Sequence, residues 1–310
     1  MALIFVLLAG LFVAISNLCM RKGIDNGGTA KGFIVFQMMT GFFCAILLDP
    51  VRAGDYSINS SIVCMGIVAG LFFAGLIYAL GKALEKGPPG FTFSLLSSAT
   101  VMPGLAMAIF FGSQMGYPYT PWHAMGSLLV IGGLAWAGKG MEGLKDLKGW
   151  VLFSLSMFFC HVLLLVLFQY RALLLNVLKP EEINHFFNHE TIRSQWFVPI
   201  MFLTSGLIQI GIYLKNEKRV PNRLEALFGM AGGILNCVGT FCLIRSTVAA
   251  SALENAVIFP IYSVAIIVFS NLWGQKLYQE KVNWRACQVC ACGLILGTVD
   301  WKGVAAAIGF

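Results

Sequence analysis

The sequence predicts an all-α membrane protein with about ten transmembrane helices in two inverted five-helix repeats. Three observations carry that expectation. Apolar residues make up 58% of the 310 residues and charged residues only 11%, against about 45–50% and about 25% in soluble domains. The apolar residues fall in runs of about 17–25 positions, the length that crosses a bilayer as a helix. Landmarks of the first half recur in the second at one offset. A water-soluble chain of this size cannot hide such an apolar excess, so lipid must be its solvent.

In lipid each backbone polar group must be satisfied within its own segment, which makes every run a helix. The expected spans are Ala2–Cys19, Gly32–Leu48, Ile62–Leu84, Gly90–Phe111, Trp122–Ala137, Trp150–Leu175, Phe197–Leu214, Leu224–Ile244, Ala250–Trp273 and Trp284–Val299. The first has no basic residues before it, and Arg21-Lys22 follow it, so it reads as a span rather than a cleaved signal. Turn-forming clusters separate the early spans: Asp25-Asn26-Gly27-Gly28, Asp49-Pro50, Gly87-Pro88-Pro89-Gly90 and Tyr117-Pro118-Tyr119-Thr120-Pro121. Trp122, Trp150, Trp196, Trp273, Trp284 and Trp301 stand at span ends, where an indole is stable between lipid and water. The gap from Asn176 to Gln195 holds Pro180-Glu181-Glu182, a first helical turn, with Ile183, Phe186 and Phe187 on one face. It reads as a short amphipathic helix on the membrane surface.

The repeat is visible in three places. Ala69-Gly70 recurs as Ala231-Gly232, Phe111-Gly112 as Trp273-Gly274, and Trp122 as Trp284, each 162 residues on. Residues 1–140 form the first five-helix half, 141–149 the connector and 150–303 the second half, with Lys139, Lys145 and Lys148 around the junction. Five is odd, so the second half enters the membrane from the opposite side. That is the build of many secondary transporters.

Composition also excludes function classes. The net charge is +7, but the basic residues lie in short gaps between apolar runs, which is an orientation signal and not a nucleic-acid surface. The nine cysteines lie in or beside apolar runs and read as small packing residues, including Cys287, Cys290 and Cys292. His185 and His189 have a zinc-compatible i, i+4 spacing near Glu181, Glu182 and Glu190, yet a solvated interfacial helix explains them better. No phosphate-loop, H-E-x-x-H or G-x-S-x-G pattern occurs. The expectation is therefore no enzyme, no metal and no cofactor, with an ion gradient or solute exchange as the power source.

A charge inside hydrocarbon is costly and marks a functional candidate. Glu254, with Asn255, lies a few residues into the ninth span, and the 162-residue offset pairs it with Thr92. A carboxylate facing a hydroxyl suits a cationic or zwitterionic ligand. The plainer alternative is that Glu254 stabilises the positive end of its helix. Asn17, Gln37, Tyr78, His161 and Asn236 are further polar residues within spans, lining a pathway or joining helices.

Several stretches carry a family resemblance. Phe93 to Gly112 has a mid-helix Pro103 and a closing glycine; Asn222 to Trp301 has a glycine-rich helix (Gly229, Gly232, Gly233), then Phe259-Pro260, then a Gly274…Glu280 turn. In these features the whole chain resembles the drug/metabolite transporter superfamily, in its ten-helix form with two EamA-type halves. The family's acidic residue after the fourth helix is absent. The resemblance implies alternating access or exchange of a small polar metabolite in a bacterial inner membrane. Glu254 favours an S-adenosylmethionine-like or amino-acid-like solute within that class. The partners expected are that solute and the bilayer, with a homodimer left open. The rivals are an integral membrane enzyme acting on a lipid-linked substrate, and a non-transporting scaffold or receptor.

Counting alternate gaps gives an orientation. One face takes Arg21, Lys22, Lys31, Lys82, Lys86, Lys139, Lys145, Lys148, Lys215, Lys218, Arg219, Arg223, Lys276, Lys281 and Arg285. The other takes Arg52, Arg171, Lys179, Arg193, Arg245 and Lys302. The richer face is expected in the cytoplasm, which puts both termini outside. The family resemblance implies the reverse, with both termini in the cytoplasm.

Overall fold

Apolar side chains crowd the outside of this molecule, and its amides and hydroxyls lie inside. Leu152, Phe159, Leu128 and Phe43 are exposed, while Asn17, Gln37, Ser205 and Gln209 are buried. Water would penalise that arrangement and lipid favours it. The computed structural model describes residues 2–87, 92, 95–96, 98–102, 121–138, 146–176, 192–249, 252–279, 283–299 and 301–308, with the side chains at 101, 123, 127, 131, 134, 135, 137, 138, 173, 176, 248, 252–257, 259, 260, 294, 298, 307 and 308 outside it. Among the described residues every regular element is helical.

The helices are α1 (Ala2–Asp25), α2 (Ala30–Ile46), α3 (Ser60–Lys86), α4 (Pro121–Gly138), α5 (Leu147–Asn176), α6 (Phe197–Glu217), α7 (Arg223–Ala249), α8 (Ala252–Tyr278), α9 (Trp284–Thr298) and α10 (Trp301–Ile308). Six stretches of the described chain are long and apolar enough to cross a membrane: α1, α2 with the turn after it, α3, α5, α6 and α7. A short 3₁₀ turn, Ala99–Val101, is described from the expected fourth span. Pro103 and the amphipathic segment expected at Pro180 to Phe187 lie outside the described residues.

Local chemistry sets the helix ends. Thr29 and Asn59 cap α2 and α3, their side chains accepting from the amides of Gly32 (3.1 Å) and Ile62 (2.9 Å). The expected Asp49-Pro50 loop is instead a π turn over Leu47–Val51 that prolongs α2. Proline lacks an N–H and clashes with the carbonyl four residues back, and a wider turn relieves both. The spans also run past their apolar cores: α1 continues six residues beyond Cys19, to Asp25. Charged ends need no hydrocarbon, so a helix simply continues into the headgroup layer. The short helix α10 has no counterpart among the ten expected segments.

Packing crosses between the halves of the chain. Helix α1 lies against α7 and α8, α2 against α6 and α7, α3 against α5 and α6, and α4 against α9. Glycines set the closest approaches. A Cβ at Gly66 would stand 2.7 Å from the Ile200 side chain and 3.3 Å from the Phe197 carbonyl; one at Gly70 would stand 2.5 Å from Thr204 and 2.8 Å from the Met201 carbonyl. On α7, a Cβ at Gly229 would be 2.6 Å from both the Phe33 carbonyl and Phe36, and at Gly233 2.5 Å from the Gln37 carbonyl and 2.9 Å from Thr40. Both pairs are G-x-x-x-G ridges, which let membrane helices touch along their backbones.

Side-chain contacts sort the gaps into two faces. On one, Arg21 donates to the Leu84 carbonyl (2.8 Å), Lys31 pairs with Glu217 (3.1 Å), Lys86 pairs with Asp146, and Lys22 stands 5.5 Å over the Tyr278 ring. On the other, Ser194 donates to the Ser57 carbonyl (2.8 Å), and Arg52 and Arg245 flank Phe241 at 5.4 and 5.3 Å. Trp122 tilts against Trp301 at 6.0 Å. First, third, fifth, seventh and ninth gaps thus meet one another, and so do the second, sixth and eighth.

Candidate functional site

The α1–α2–α7 contact carries a group of buried polar residues. Ser16 Oγ donates to the Gly232 carbonyl (2.8 Å), and Gln37 Nε2 donates to Ser16 Oγ (3.0 Å). Gly232 and Gly233 make this possible, because any side chain there would hold α1 and α2 away. Among the described residues Gln37 Oε1 and the neighbouring Asn17 Nδ2 have no partner, although both side chains are buried. Asn236, one turn along α7 from Gly232, is also buried, and Thr240 approaches its Oδ1 at 3.5 Å. An unpaired buried amide costs roughly 1–3 kcal/mol, so such groups mark a place where a polar ligand or water is expected.

A second group joins α3, α5 and the fourth segment. His161 Nδ1 lies 2.8 Å from the Leu96 carbonyl, Trp150 Nε1 donates to Thr92 Oγ1 (3.1 Å), and Tyr78 meets Phe153 edge to face with ring centres 6.4 Å apart. These contacts explain Thr92, Tyr78 and His161 as residues that hold helices together. Thr100 and Ser263 share a hydrogen bond that ties the fourth segment to α8.

The structure separates the expected pair of Thr92 and Glu254. Thr92 sits beside Trp150 near the start of α5, on the face of Lys86 and Asp146. The backbone of Glu254 and Asn255 lies near the start of α8, just past the α7 end that carries Arg245, on the opposite face. The reason is geometric: residues near the starts of helices that run in opposite directions lie at opposite membrane faces. A single site cannot hold both. The side chains of Glu254 and Asn255 lie outside the described residues.

Two charged groups escaped the sequence reading. Glu225 is fully buried and accepts from the Thr29 amide (2.7 Å), Thr29 Oγ1 (2.8 Å), the Asn222 amide (2.7 Å) and both terminal nitrogens of Arg219 (3.0 and 2.5 Å). Asn222 Oδ1 accepts from the Glu225 amide in return (2.7 Å), which closes a reciprocal capping box at the start of α7. The spacing Asn222-x-x-Glu225 was the available signal. The other group is a cavity of about 220 Å³ on the opposite face, lined by Asp49, Arg171, Arg193, Arg245, Phe197 and Phe241 among others. Among the described residues no three His, Cys, Asp or Glu side chains stand together as metal ligands. All nine cysteines are free thiols.

The fold itself has precedent. No family model and no curated protein matches the sequence. A solved protein crystal structure, 16% identical, superposes with a TM-score of 0.66 over 100% of this chain and 99% of its own. At that identity the likeness speaks for the fold alone: the whole chain adopts an arrangement of helices already seen in another protein.

Proposed function

We propose that this chain is a secondary transporter of the drug/metabolite transporter type, with ten spans in two inverted halves, 1–140 and 150–303, working by alternating access or exchange. One observation carries the reading: the helix contacts survive exchange of the two halves. Helices α1, α2 and α3 stand for spans one to three, α4 for five, and α5 to α9 for six to ten. Exchanging each span with the one five places on turns the α3/α6 crossing into α7/α2, and α1/α7 into α5/α3. It turns α1/α8 into α5 against the fourth segment, where His161 meets Leu96, and returns α4/α9 and α2/α6 to themselves. Each of these contacts occurs. The glycines follow the same rule. Gly66 and Gly70 cross the carbonyls of Phe197 and Met201, and Gly229 and Gly233 cross those of Phe33 and Gln37, with the same four-residue steps. Two such halves give a membrane protein a pair of equivalent conformations, which is the physical basis of alternating access.

On this reading Asn17, Gln37 and Asn236 supply amides to a polar solute inside the bundle, and Glu254 acts near one mouth in favour of a positive group. The location is a bacterial inner membrane. Buried amides, with no cluster of metal-ligating side chains among the described residues, favour transport over an enzyme acting on lipid-linked substrates.

Purified protein in liposomes is expected to move labelled amino acids or S-adenosylmethionine in a saturable way, faster when unlabelled solute is trapped inside. Glu254→Gln is expected to lower uptake of the cationic solutes at least several-fold with unchanged expression. Absence of flux for every solute tested across both classes counts against transport; normal uptake by Glu254→Gln removes that residue from the site. Orientation has its own measurement. From the charge count, a C-terminal reporter active only in the cytoplasm is expected to stay silent, and a strong signal there reverses the orientation.

A further inference from the structure

The poorer of the two faces has six basic residues, and four of them converge. Arg171, Arg193 and Arg245 line the 220 Å³ cavity, and Arg52 reaches the same Phe241 ring as Arg245. An orientation signal puts basic residues in exposed loops. Arg171 and Arg245 instead lie within α5 and α7, on helical backbone. Arg171 stands 4.9 Å over the Phe197 ring and donates to the Ile192 carbonyl (3.2 Å), yet its Nε is buried without a partner. Aromatic faces hold the guanidiniums in place without neutralising them. Among the described residues Asp49 is the one carboxylate lining the cavity, and no ion pair engages Arg171, Arg193 or Arg245. The lining therefore carries three positive charges and one negative. Its volume far exceeds the ~10–15 Å³ that a single water needs.

We infer that this cavity is a binding site for a phosphoryl group, held by Arg171, Arg193 and Arg245 and presented at the membrane face opposite the Glu225 cluster. Planar guanidiniums offer paired N–H donors that match phosphate oxygens, and several of them around one cavity favour a multiply charged anion over chloride. Asp49 opposes the anion. It keeps the unloaded cavity from accumulating charge. The assignment does not depend on transport, since it is read by binding alone. The phosphoryl group has two sources, a soluble phosphate or an anionic lipid headgroup reaching the cavity from the bilayer.

The test uses purified full-length protein in an uncharged detergent, titrated with radiolabelled inorganic phosphate, and in parallel measures retention of phosphatidylglycerol against phosphatidylcholine from mixed micelles. Specific binding of phosphate points to the soluble source, and selective retention of phosphatidylglycerol to the lipid. Either one is expected to weaken at least tenfold in Arg245→Gln and in Arg193→Gln, and to strengthen in Asp49→Asn. Arg285→Gln, on the opposite face, is expected to change nothing. Arg193 is exposed, so its variant is expected to fold even if one at Arg171 does not. The inference is overturned if neither probe binds, if chloride competes on equal terms, or if the Arg193 and Arg245 variants bind as the parent does.

Discussion

Replacing Glu225 with Gln is expected to lower the stability of the purified protein by about 1–3 kcal/mol, since one of the two buried amides, that of Thr29 on Oε1 or that of Asn222 on Oε2, loses its acceptor. Its carboxylate gathers the Thr29 and Asn222 amides, the Thr29 hydroxyl and the Arg219 guanidinium. Glutamine keeps the shape but offers one acceptor oxygen where the site uses two, and it turns an N–H₂ toward donors that need an acceptor. Arg219 is 37% exposed, so it rehydrates and adds little to the loss. The damage reaches beyond α7, because Thr29 caps α2 and α2 packs on α6. Lys82→Met is the control. It breaks a pair with Glu85 one turn away on the same helix, worth only about 0.2–0.5 kcal/mol. Thermal unfolding of the three proteins in one detergent decides the matter, and an unfolding midpoint for Glu225→Gln equal to that of Lys82→Met would show that the cluster is dispensable.

The second large effect belongs to the glycine ridges. Gly233→Ala places a methyl 2.5 Å from the Gln37 carbonyl oxygen, and Gly70→Ala places one 2.5 Å from the Thr204 Cβ. Neither obstacle is the tip of a flexible side chain, so two helices must separate. Each substitution is expected to cost about 1–3 kcal/mol, the usual penalty for overpacking. Gly211 is the counterpart, with open space for 4 Å around the point where a methyl would stand. Gly211→Ala is expected to be neutral or slightly stabilising, because alanine is the better helix former by about 1 kcal/mol. If the two halves are equivalent, the Gly70 and Gly233 variants also resemble each other in severity. Retention of monodisperse protein after heating compares all three, and a Gly233→Ala protein as robust as Gly211→Ala would contradict the close crossing.

Much of the molecule was written in its residue pattern. The apolar runs located α1, α2, α3, α5, α6 and α7 to within a few residues, because hydrocarbon imposes both helix and minimum length on any chain that crosses it. Errors gathered at the ends. Asp49-Pro50 reads as a loop from composition, but whether a proline ends a helix or widens one turn depends on what the next residues pack against. The 162-residue offset pairs Gly70 with Gly232, one position short of Gly233, whose contact with the Gln37 carbonyl matches that of Gly70 with the Met201 carbonyl.

Sites were less legible. Asn17, Gln37 and Asn236 stand out in a sequence simply as amides inside spans. That Gln37 meets Ser16 at the α1–α2–α7 contact follows from Gly232 and Gly233, which bring distant segments of the chain together. The 162-residue pairing of Thr92 with Glu254 was misleading for the converse reason: Thr92 lies beside Trp150 at one face, and the helix that carries Glu254 starts at the other. Arg171, Arg193 and Arg245 each look like ordinary span-end charges, spread over 75 positions.

The sequence by itself determined the solvent, the helical class and the division of its charges between two faces. Those follow from composition and length, which act on each segment independently. The tertiary structure alone decided which polar groups meet: Glu225 with Thr29 and Arg219, Gln37 with Ser16, and three arginines around one cavity with Asp49. Side-chain contacts between helices depend on rotation and crossing depth, and in this protein glycines far apart in the chain set both.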